Sequence, residues 1–209
     1  MIRRPDIELL YIRHGETVWN RQRRMQGHKD SPLTLTGWQQ AQRVALLLDR
    51  RFGGELAHFR WQASPLGRAW QTAVVIAETL GLDPARIDHD LRLREMTWGD
   101  WDGLTAAEIE ARDPELWQAR IDDRWTVAPP GGGETQADIV QRAAAWLAAL
   151  APGSRTVAVA HGALGRAVRT AYLGLEPAAM LTLDEPHDAI FWFNHGEIVR
   201  LEPEKKGKG

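Results

Sequence analysis

Apolar runs and polar breaks divide the chain into segments that predict strands and helices in alternation. Residues 7–12 are almost continuously apolar, which is typical of a strand covered on both faces. Runs bounded by turn residues predict further strands at 58–63 and 156–160. Two final strands, at 190–193 and 198–201, flank a turn that contains glycine and are predicted to form a hairpin.

Apolar residues at helical spacing predict four helices between these strands. The first is predicted to begin at an N-cap on Thr36, with Gln39 completing a capping box. The second is predicted to have Ser64 as its N-cap and Pro65 in its first turn. The others are predicted to begin at Thr135 and near Ala163. Because strands alternate with helices, we predict an α/β fold: a three-layer α/β/α sandwich with a mostly parallel central sheet, one antiparallel edge strand and helices on both faces.

The length of 209 residues suits one domain with a full core. We expect a single domain over 1–203 and a flexible tail over 204–209, where charged residues and glycine replace apolar ones. Within the domain, 113–133 is the least regular stretch and contains two tryptophans, two adjacent prolines and three glycines. We expect this segment to form a short helical excursion and a loop that cover one end of the sheet as a lid.

Composition narrows the classes of function. A net charge of −2 gives no reason to expect nucleic acid or an anionic membrane surface as a partner, so an anionic substrate would need locally placed arginines. The absence of cysteine removes disulfides, thiolate catalysis and thiolate metal sites. Since no apolar run is long enough for a secretory signal or a membrane span, we expect a cytoplasmic protein.

Two predicted strands end in the same dipeptide, histidine followed by glycine. The first places His14 after the opening strand, and the second places His161 after the strand at 156–160. In open α/β sheets, ligands bind beyond the carboxyl ends of the strands, so the two imidazoles are expected to face one another. The glycine after each histidine lets the backbone approach a ligand closely.

Two arginines are expected to place positive charge beside this pair of histidines. Arg13 directly precedes His14, and Arg68 lies in the first turn of the second predicted helix, where its side chain can join the helix N-terminus in binding an anion. Flanking arginines disfavour the imidazolium and help to keep His14 unprotonated. A neutral imidazole is a good nucleophile near pH 7, and phosphoryl transfer mainly requires alignment and charge stabilisation. The constellation therefore predicts a pocket for a tetrahedral dianion, with His14 as the phosphoryl carrier.

A proton donor for the leaving group is also needed, and Glu95 is the candidate, in a segment rich in tryptophan. Glu16 and Asp102 are acidic and nearby in sequence, and either could instead be a structural partner. Because no acidic ligand has the spacing of a local metal motif, we expect no metal and no cofactor. The remaining histidines have no comparable neighbours and are expected at the surface or in turns: His28, His58, His89, His187 and His195.

The chain resembles the histidine phosphatase superfamily, in its phosphoglycerate mutase-like branch, over nearly all of its length. The motifs occur in the order of that family: Arg13-His14-Gly15-Glu16-Thr17-Val18-Trp19-Asn20, Arg24-Met25-Gln26-Gly27, Asp30-Ser31-Pro32-Leu33-Thr34, Ser64-Pro65-Leu66-Gly67-Arg68-Ala69, Glu95 with Gly99 to Gly103, Pro130-Gly131-Gly132-Gly133-Glu134-Thr135, and His161-Gly162.

The resemblance implies a role for each matching residue. His14 would be phosphorylated, the phosphate would be held by Arg13, Arg68 and His161, and catalysis would need no metal. Glu95 would act as the proton donor. The candidate substrate-binding residues within the motifs are Thr17, Asn20, Gln26, Gly27 and Gly162.

Departures from the mutase pattern favour a phosphomonoesterase acting on a small phosphorylated substrate. The long basic insertion of the mutases is missing, and Arg112, Arg120 and Arg124 are scattered instead of clustered. Gln26 stands where mutases have a small hydroxylated residue, and Ala163 replaces a typical asparagine. The alternatives are a bisphosphoglycerate-dependent phosphoglycerate mutase and a catalytically idle phosphate-binding module. The sequence leaves the substrate undecided, and it leaves a homodimer open.

Overall fold

The computed structural model describes residues 3–203, so the expected tail at 204–209 lies outside the described residues. In this part of the chain there are six strands: β1 (Glu8–Arg13), β2 (Arg60–Ala63), β3 (Ile87–His89), β4 (Arg155–Ala160), β5 (Ile190–Asn194) and β6 (Glu197–Leu201). The same part holds eight α-helices: α1 (Val18–Arg21), α2 (Leu35–Phe52), α3 (Gly67–Thr79), α4 (Ala106–Arg112), α5 (Pro114–Asp122), α6 (Gln136–Ala149), α7 (Gly162–Leu173) and α8 (Pro177–Thr182).

The strands form one mixed sheet in the order β3-β2-β4-β1-β5-β6. The first four are parallel, β5 is antiparallel to β1, and β6 is antiparallel to β5. The predicted α/β class with a mostly parallel sheet is confirmed, and the antiparallel strand lies one place in from the edge because its hairpin partner forms the edge. In the pairing of β1 with β4, Arg13 lies opposite Ala160. The residues that follow these two strands therefore emerge side by side.

Side chains alternate between the two faces of the sheet, and each face has its own apolar core. Leu10 and Ile12 of β1 pack into a cluster with residues of α2 and α3. Leu9 and Tyr11 of the same strand pack on the other face, with residues of α6 and α7. This arrangement confirms the three-layer sandwich with helices on both faces.

Two predicted helix starts are wrong, and the corrections bear on the site. The N-cap of α2 is Thr34, whose hydroxyl accepts from the Gly37 amide, and not Thr36. The hydroxyl of Thr36 instead accepts a hydrogen bond from Arg21. Ser64 does not cap α3, which begins at Gly67. The segment between β2 and α3 is therefore free to carry the Ser64 side chain towards the end of β4.

Several short elements escape the sequence pattern because periodicity needs more residues than they contain. They are β3, α1, α4 and α8. Within the segment 113–133, α5 is followed by residues without regular structure up to the N-cap of α6 at Thr135. Of the helices in residues 3–203, none is both long enough and apolar enough to cross a lipid bilayer.

Candidate active site

The carboxyl ends of β1 and β4 bring the two histidines together. The imidazole rings of His14 and His161 lie edge to face, with 5.2 Å between their centroids. His14 is 2% exposed and His161 is fully buried. The two rings meet because β1 and β4 are paired and each histidine directly follows its strand.

Hydrogen bonding fixes the tautomer of His14. Its Nδ1 lies 2.8 Å from the carbonyl oxygen of Gly15. Because a carbonyl can only accept, Nδ1 carries the proton and Nε2 keeps its lone pair. Burial lowers the pKa of His14 well below its usual value, and the charges of Arg68 and Arg13 lower it further. The ring is therefore neutral near pH 7 and presents a nucleophilic nitrogen.

The tautomer of His161 follows from its contact with Ser64. The Ser64 hydroxyl lies 2.8 Å from Nε2 of His161 and also accepts a 3.3 Å hydrogen bond from the Leu66 amide. The Leu66 amide can only donate, so Nε2 is the one acceptor that these two contacts offer to the proton of the buried hydroxyl; the hydroxyl then donates to Nε2, which places the imidazole proton on Nδ1. Burial lowers the pKa of His161 well below its usual value, with Arg68 as the next cause. Nδ1–H of His161 is thus a buried donor on a neutral ring.

Arg68 is held in place by backbone oxygens and one carboxylate. Its guanidinium donates 2.8 Å hydrogen bonds to the carbonyls of Gly27 and Lys29 and to the carboxylate of Asp30. The side chain is only 1% exposed, and burial lowers the pKa of Arg68 from its usual value. Arginine keeps its charge under such a shift, so a fixed cation lies beside both histidines.

Arg13 is fixed by Glu185, which lies in the loop between α8 and β5. The guanidinium donates to the carbonyl of Glu185 and lies 3.7 Å from its carboxylate. The same carboxylate forms an ion pair with Arg166. A Cβ atom on Gly162 would lie 2.0 Å from this carboxylate, so the glycine lets Glu185 approach the start of α7 without shifting its side chain. The structure thus gives Gly162 a packing role beside the catalytic arginine candidate.

Three N–H groups of these residues are buried and have no acceptor among the described residues: Nε of Arg13, Nε of Arg68 and Nδ1 of His161. Buried donors are nearly always hydrogen-bonded in proteins, so an unpartnered set of three that surrounds one nucleophile is informative. Two of the donors are cationic and the third is neutral. A ligand with several acceptor oxygens and negative charge, such as a phosphate group, would satisfy all three.

The same charges make the pocket unsuitable for a cation. Arg13 and Arg68 both lower the pKa of each histidine, which reports a positive potential at the two rings. Within residues 3–203 there is no group of three or more histidine and acidic side chains that could hold a metal ion.

Glu95 lies at the amino end of α7, next to His161. The oxygens of its carboxyl group accept hydrogen bonds from the backbone amides of Met96 (2.9 Å), Leu164 (3.1 Å) and Ala163 (3.2 Å). These three amides fix the carboxyl group beside the histidine pair. Arg142 also helps to hold this segment, because it donates to the carbonyl of Glu95 at 3.3 Å.

The other two acidic residues near the motifs have structural partners. Asp102 accepts from the amides of Trp98 (2.8 Å) and His28 (2.9 Å), so it joins the Glu95 segment to the loop that binds Arg68. Glu16 forms an ion pair with Arg21 at 2.7 Å, on the exposed side of the nucleophile loop. Of the three acidic candidates, Glu95 is the one beside the histidine pair.

Four of the five predicted substrate-binding residues lie between β1 and α2, and the fifth, Gly162, begins α7. Thr17 and Asn20 cap α1 reciprocally: the Thr17 amide donates to Oδ1 of Asn20, and the Asn20 amide donates to the hydroxyl of Thr17. This pairing leaves the side-chain amide nitrogen of Asn20 as its donor for a ligand. Gln26 is 7% exposed, and its Oε1 has no partner among the described residues. Gly27 has a φ of +52° and supplies a carbonyl to Arg68.

His187 lies in a bend, as expected, but it contacts His14, so the prediction that it has no comparable neighbours is wrong. Nδ1 of His187 is 2.7 Å from the carbonyl oxygen of His14, and the two ring centroids are 5.6 Å apart. The signal that could have found it is topological. His187 lies just before β5, and β5 begins beside the end of β1, where Ile190 pairs with Ile12. A hairpin strand antiparallel to β1 must bring its preceding residues to the catalytic edge.

Comparisons with known proteins show what this chain is similar to. A family model described as the histidine phosphatase superfamily (branch 1) matches residues 9–198. Phosphoglycerate mutase-like protein 4 of Arabidopsis thaliana is 37% identical over 175 residues, which cover 82% of this chain and 72% of the relative. The probable phosphoglycerate mutase GpmB of Salmonella choleraesuis is 38% identical, over 81% of this chain and 76% of the relative. A solved mycobacterial glucosyl-3-phosphoglycerate phosphatase, in complex with VO3, superposes with a TM-score of 0.71 at 35% identity, covering 88% of this chain and 91% of that one.

Proposed function

The chain belongs to the histidine phosphatase superfamily, and from that premise we propose that it is a metal-independent phosphomonoesterase that hydrolyses small phosphorylated metabolites through a phosphohistidine intermediate on His14. Phosphatase neighbours such as the glucosyl-3-phosphoglycerate phosphatase support the reaction type. The observation that carries the proposal is a set of three buried N–H donors on Arg13, Arg68 and His161, next to a neutral imidazole, that find no acceptor within residues 3–203.

In the first step, the lone pair on Nε2 of His14 attacks phosphorus in line with the ester oxygen. The bond between phosphorus and the leaving oxygen breaks, and Glu95 gives its proton to that oxygen. The Nδ1–H bond to the Gly15 carbonyl stabilises the positive charge that develops on the phosphorylated ring. Arg13 and Arg68 balance the charge on the phosphoryl oxygens and hold them in line.

In the second step, water attacks the phosphohistidine. Glu95, now a carboxylate, takes a proton from the water as its oxygen bonds to phosphorus. The bond between phosphorus and Nε2 breaks, and its electron pair returns to His14. The amides of Met96, Ala163 and Leu164 keep the carboxylate in one place for both proton transfers. Inorganic phosphate leaves, and the starting protonation states are restored.

Phosphate release from an aryl phosphate ester, measured with and without a chelator, tests this proposal. We expect equal rates in both conditions, acid-labile phosphorylation of the enzyme, and loss of both signals in His14→Ala. Hydrolysis that survives His14→Ala would contradict the role of His14. Hydrolysis that the chelator abolishes would contradict metal independence.

A phosphoglycerate mutase is the second candidate, because one of the similar proteins is named a probable phosphoglycerate mutase and another is named phosphoglycerate mutase-like. A mutase must hold a second acidic group and protect its phosphoenzyme from water. The arginines that follow the Glu95 segment are poorly placed for this. Arg120 is 1% exposed and stacks on Trp98, 4.9 Å from the ring centroid, while Arg112 pairs with Asp113. Interconversion of phosphoglycerates that exceeds phosphate release, and that bisphosphoglycerate stimulates, would favour the mutase.

The proposal also covers the domain, its compartment and the part of the chain next to the leaving group. We infer that 1–203 acts as one domain in the cytoplasm, with 113–133 covering the leaving-group side of the pocket. Trp125 packs against the core, so Trp117 is the tryptophan of that segment that we propose to contact bulky or apolar leaving groups. A panel of natural phosphomonoesters ranked by kcat/KM, repeated with Trp117→Ala, would test this role of the segment. Unchanged ranking would contradict it.

A further inference from the structure

The peptide bond between His14 and Gly15 is held from both sides by side chains. Its carbonyl oxygen accepts from Nδ1 of His187 at 2.7 Å. Its N–H donates to the hydroxyl of Thr72 at 3.1 Å. The hydroxyl of Thr72 in turn donates to the carbonyl of Arg68 at 2.8 Å. The plane of this peptide therefore cannot change its orientation without breaking a buried hydrogen bond, which costs about 1–3 kcal/mol.

The orientation of that peptide decides where the next carbonyl points. The Gly15 carbonyl accepts the Nδ1–H of His14 and so keeps the lone pair on Nε2. Gly15 has no room to adjust, because a Cβ atom on it would lie 2.4 Å from the carbonyl oxygen of Gly37. If the His14 carbonyl loses its donor, the backbone of this tight loop is released on one side. The Gly15 carbonyl is then less firmly placed to accept from Nδ1 of His14, so the Nδ1–H tautomer is less strongly favoured.

We propose that His187 is a positioning residue that holds the backbone of His14 and thereby keeps the nucleophile in the Nδ1–H tautomer. This inference rests on the proposed function, in which Nε2 of His14 attacks phosphorus. It adds a third histidine, from the opposite end of the chain, to the pair at the strand ends.

The chemistry of His187 suits this role. Since the carbonyl of His14 can only accept, Nδ1 of His187 carries the proton. Burial lowers the pKa of His187 to about 4, with the charge of Arg13 as the next cause, against the opposing carboxylates of Glu16 and Asp188. The ring therefore donates its hydrogen bond while neutral and brings no extra positive charge to His14.

The loop that carries His187 is anchored on both sides. Asp184 pairs with Arg169 of α7 at 3.3 Å. Glu185 binds Arg13 and Arg166. The residues after His187 enter β5, which is paired with β1. These contacts place the imidazole without help from a substrate, so the proposed role is present in the free enzyme.

Two substitutions separate the hydrogen bond from the ring. His187→Asn keeps an N–H donor near the position of Nδ1 and removes the ring. His187→Phe keeps a ring of similar size and removes the donor. His58→Asn, at an exposed position before β2, is the matched control. The measurements are the rates of phosphoenzyme formation and steady-state hydrolysis, and long-range ¹H–¹⁵N NMR correlations, which identify the tautomer of each imidazole.

We expect the wild-type protein and His58→Asn to show the Nδ1–H tautomer at both His14 and His187. His187→Phe should show mixed tautomers at His14 and a phosphoenzyme formation rate lowered on the order of 10- to 100-fold. Its KM should change less than its kcat, because Arg13, Arg68 and His161 still hold the phosphate. His187→Asn should keep most of the rate and a single tautomer.

Several results would overturn the proposal. One is a His187→Phe enzyme with the wild-type rate and a single His14 tautomer. Another is His187→Asn as slow as His187→Phe. If the variants do not fold, the NMR spectrum of the wild-type protein tests the proposal instead. An Nε2–H tautomer at His187 in that spectrum would contradict it, because Nδ1 could then not donate to the carbonyl of His14. A wild-type enzyme that releases no phosphate would instead contradict the proposed function, while the tautomers would still test the positioning role.

Discussion

The hydroxyl group of Ser64 lies 2.8 Å from Nε2 of His161 and donates its proton there. This one contact determines that Nδ1 of His161 carries the imidazole proton and can donate it to a ligand. A side chain at the end of β2 therefore controls the hydrogen-bonding capacity of a side chain at the end of β4. The two strands are parallel neighbours in the sheet, which is why their carboxyl ends can cooperate in this way.

Removing the hydroxyl should weaken phosphate binding. In Ser64→Ala, Nε2 of His161 loses its donor, so the ring can place its proton on the wrong nitrogen and present a lone pair to the phosphate. We expect kcat/KM for an aryl phosphate to fall about 10- to 100-fold, since a correctly placed donor to a charged group contributes about 1.5–3 kcal/mol.

Ser154→Ala is the matched control. Ser154 directly precedes β4, at the opposite end of that strand from His161, and its hydroxyl has no partner among the described residues. This variant should keep the wild-type kcat/KM. Equal losses in the two variants would show that the Ser64 effect is general destabilisation and not control of the tautomer.

Replacing Arg68 with lysine should be costly although the charge is kept. Three guanidinium contacts, to Gly27, Lys29 and Asp30, position this side chain, and one ammonium group cannot reproduce their geometry. We expect KM to rise and kcat to fall, for a combined loss of about 10- to 100-fold in kcat/KM. Inhibition by inorganic phosphate should weaken in parallel.

Arg60→Lys provides the comparison for that substitution. Arg60 pairs with Asp88 at 2.9 Å on the surface, where such a pair contributes about 0–1 kcal/mol. Steady-state kinetics of the two variants should differ clearly. If Arg68→Lys behaves like Arg60→Lys, the geometry of the guanidinium is unimportant to the site.

Gly27 should not tolerate a methyl group. Its φ is +52°, and a Cβ atom would lie 1.6 Å from Oδ1 of Asp102. Gly81, which follows the C-cap of α3, also has a positive φ, +68°, with nothing within 4 Å of the added atom. Gly81→Ala should therefore cost only the strain of the left-handed backbone, about 1–2 kcal/mol.

Gly27→Ala should add the clash to that strain, for a total of about 2–5 kcal/mol in the free energy of unfolding. It should also lower activity, because the carbonyl that binds Arg68 moves with the loop. Chemical denaturation of both alanine variants measures the difference. Equal destabilisation would mean that Asp102 moves aside at little cost.

The sequence predicts the parts of this protein that obey local or strand-end rules. Five of the six described strands, the sheet class and the meeting of His14 with His161 follow from apolar runs and from the rule that parallel strands end at one edge. The role of Ser64 does not follow, because a serine before proline is read as a helix cap. His187 is missed because its place depends on how β5 pairs with β1, which no local pattern specifies.

The buried histidines should also make stability depend on pH. The pKa values of His14, His161 and His187 are all lowered in the folded protein, that of His187 to about 4. Below the usual histidine value near 6.5, the unfolded chain therefore binds protons that the folded protein does not. The free energy of unfolding is highest above this value. It should fall as the pH drops, by up to about 1.4 kcal/mol per pH unit for each histidine.

His187→Asn isolates one of these contributions. It should lower the free energy of unfolding at pH 7.5 but flatten its decline between pH 6.5 and about 4, the window set by the pKa of His187. Carboxylates with lowered pKa values, such as Asp138 and Glu108, begin to lose their contribution below about pH 5, but they do so in both proteins, so the difference between the two curves reports His187. Urea denaturation at half-unit pH steps gives both curves. If the variant and wild-type curves run parallel from pH 7.5 to 4.5, His187 is not buried as a neutral imidazole in the folded protein.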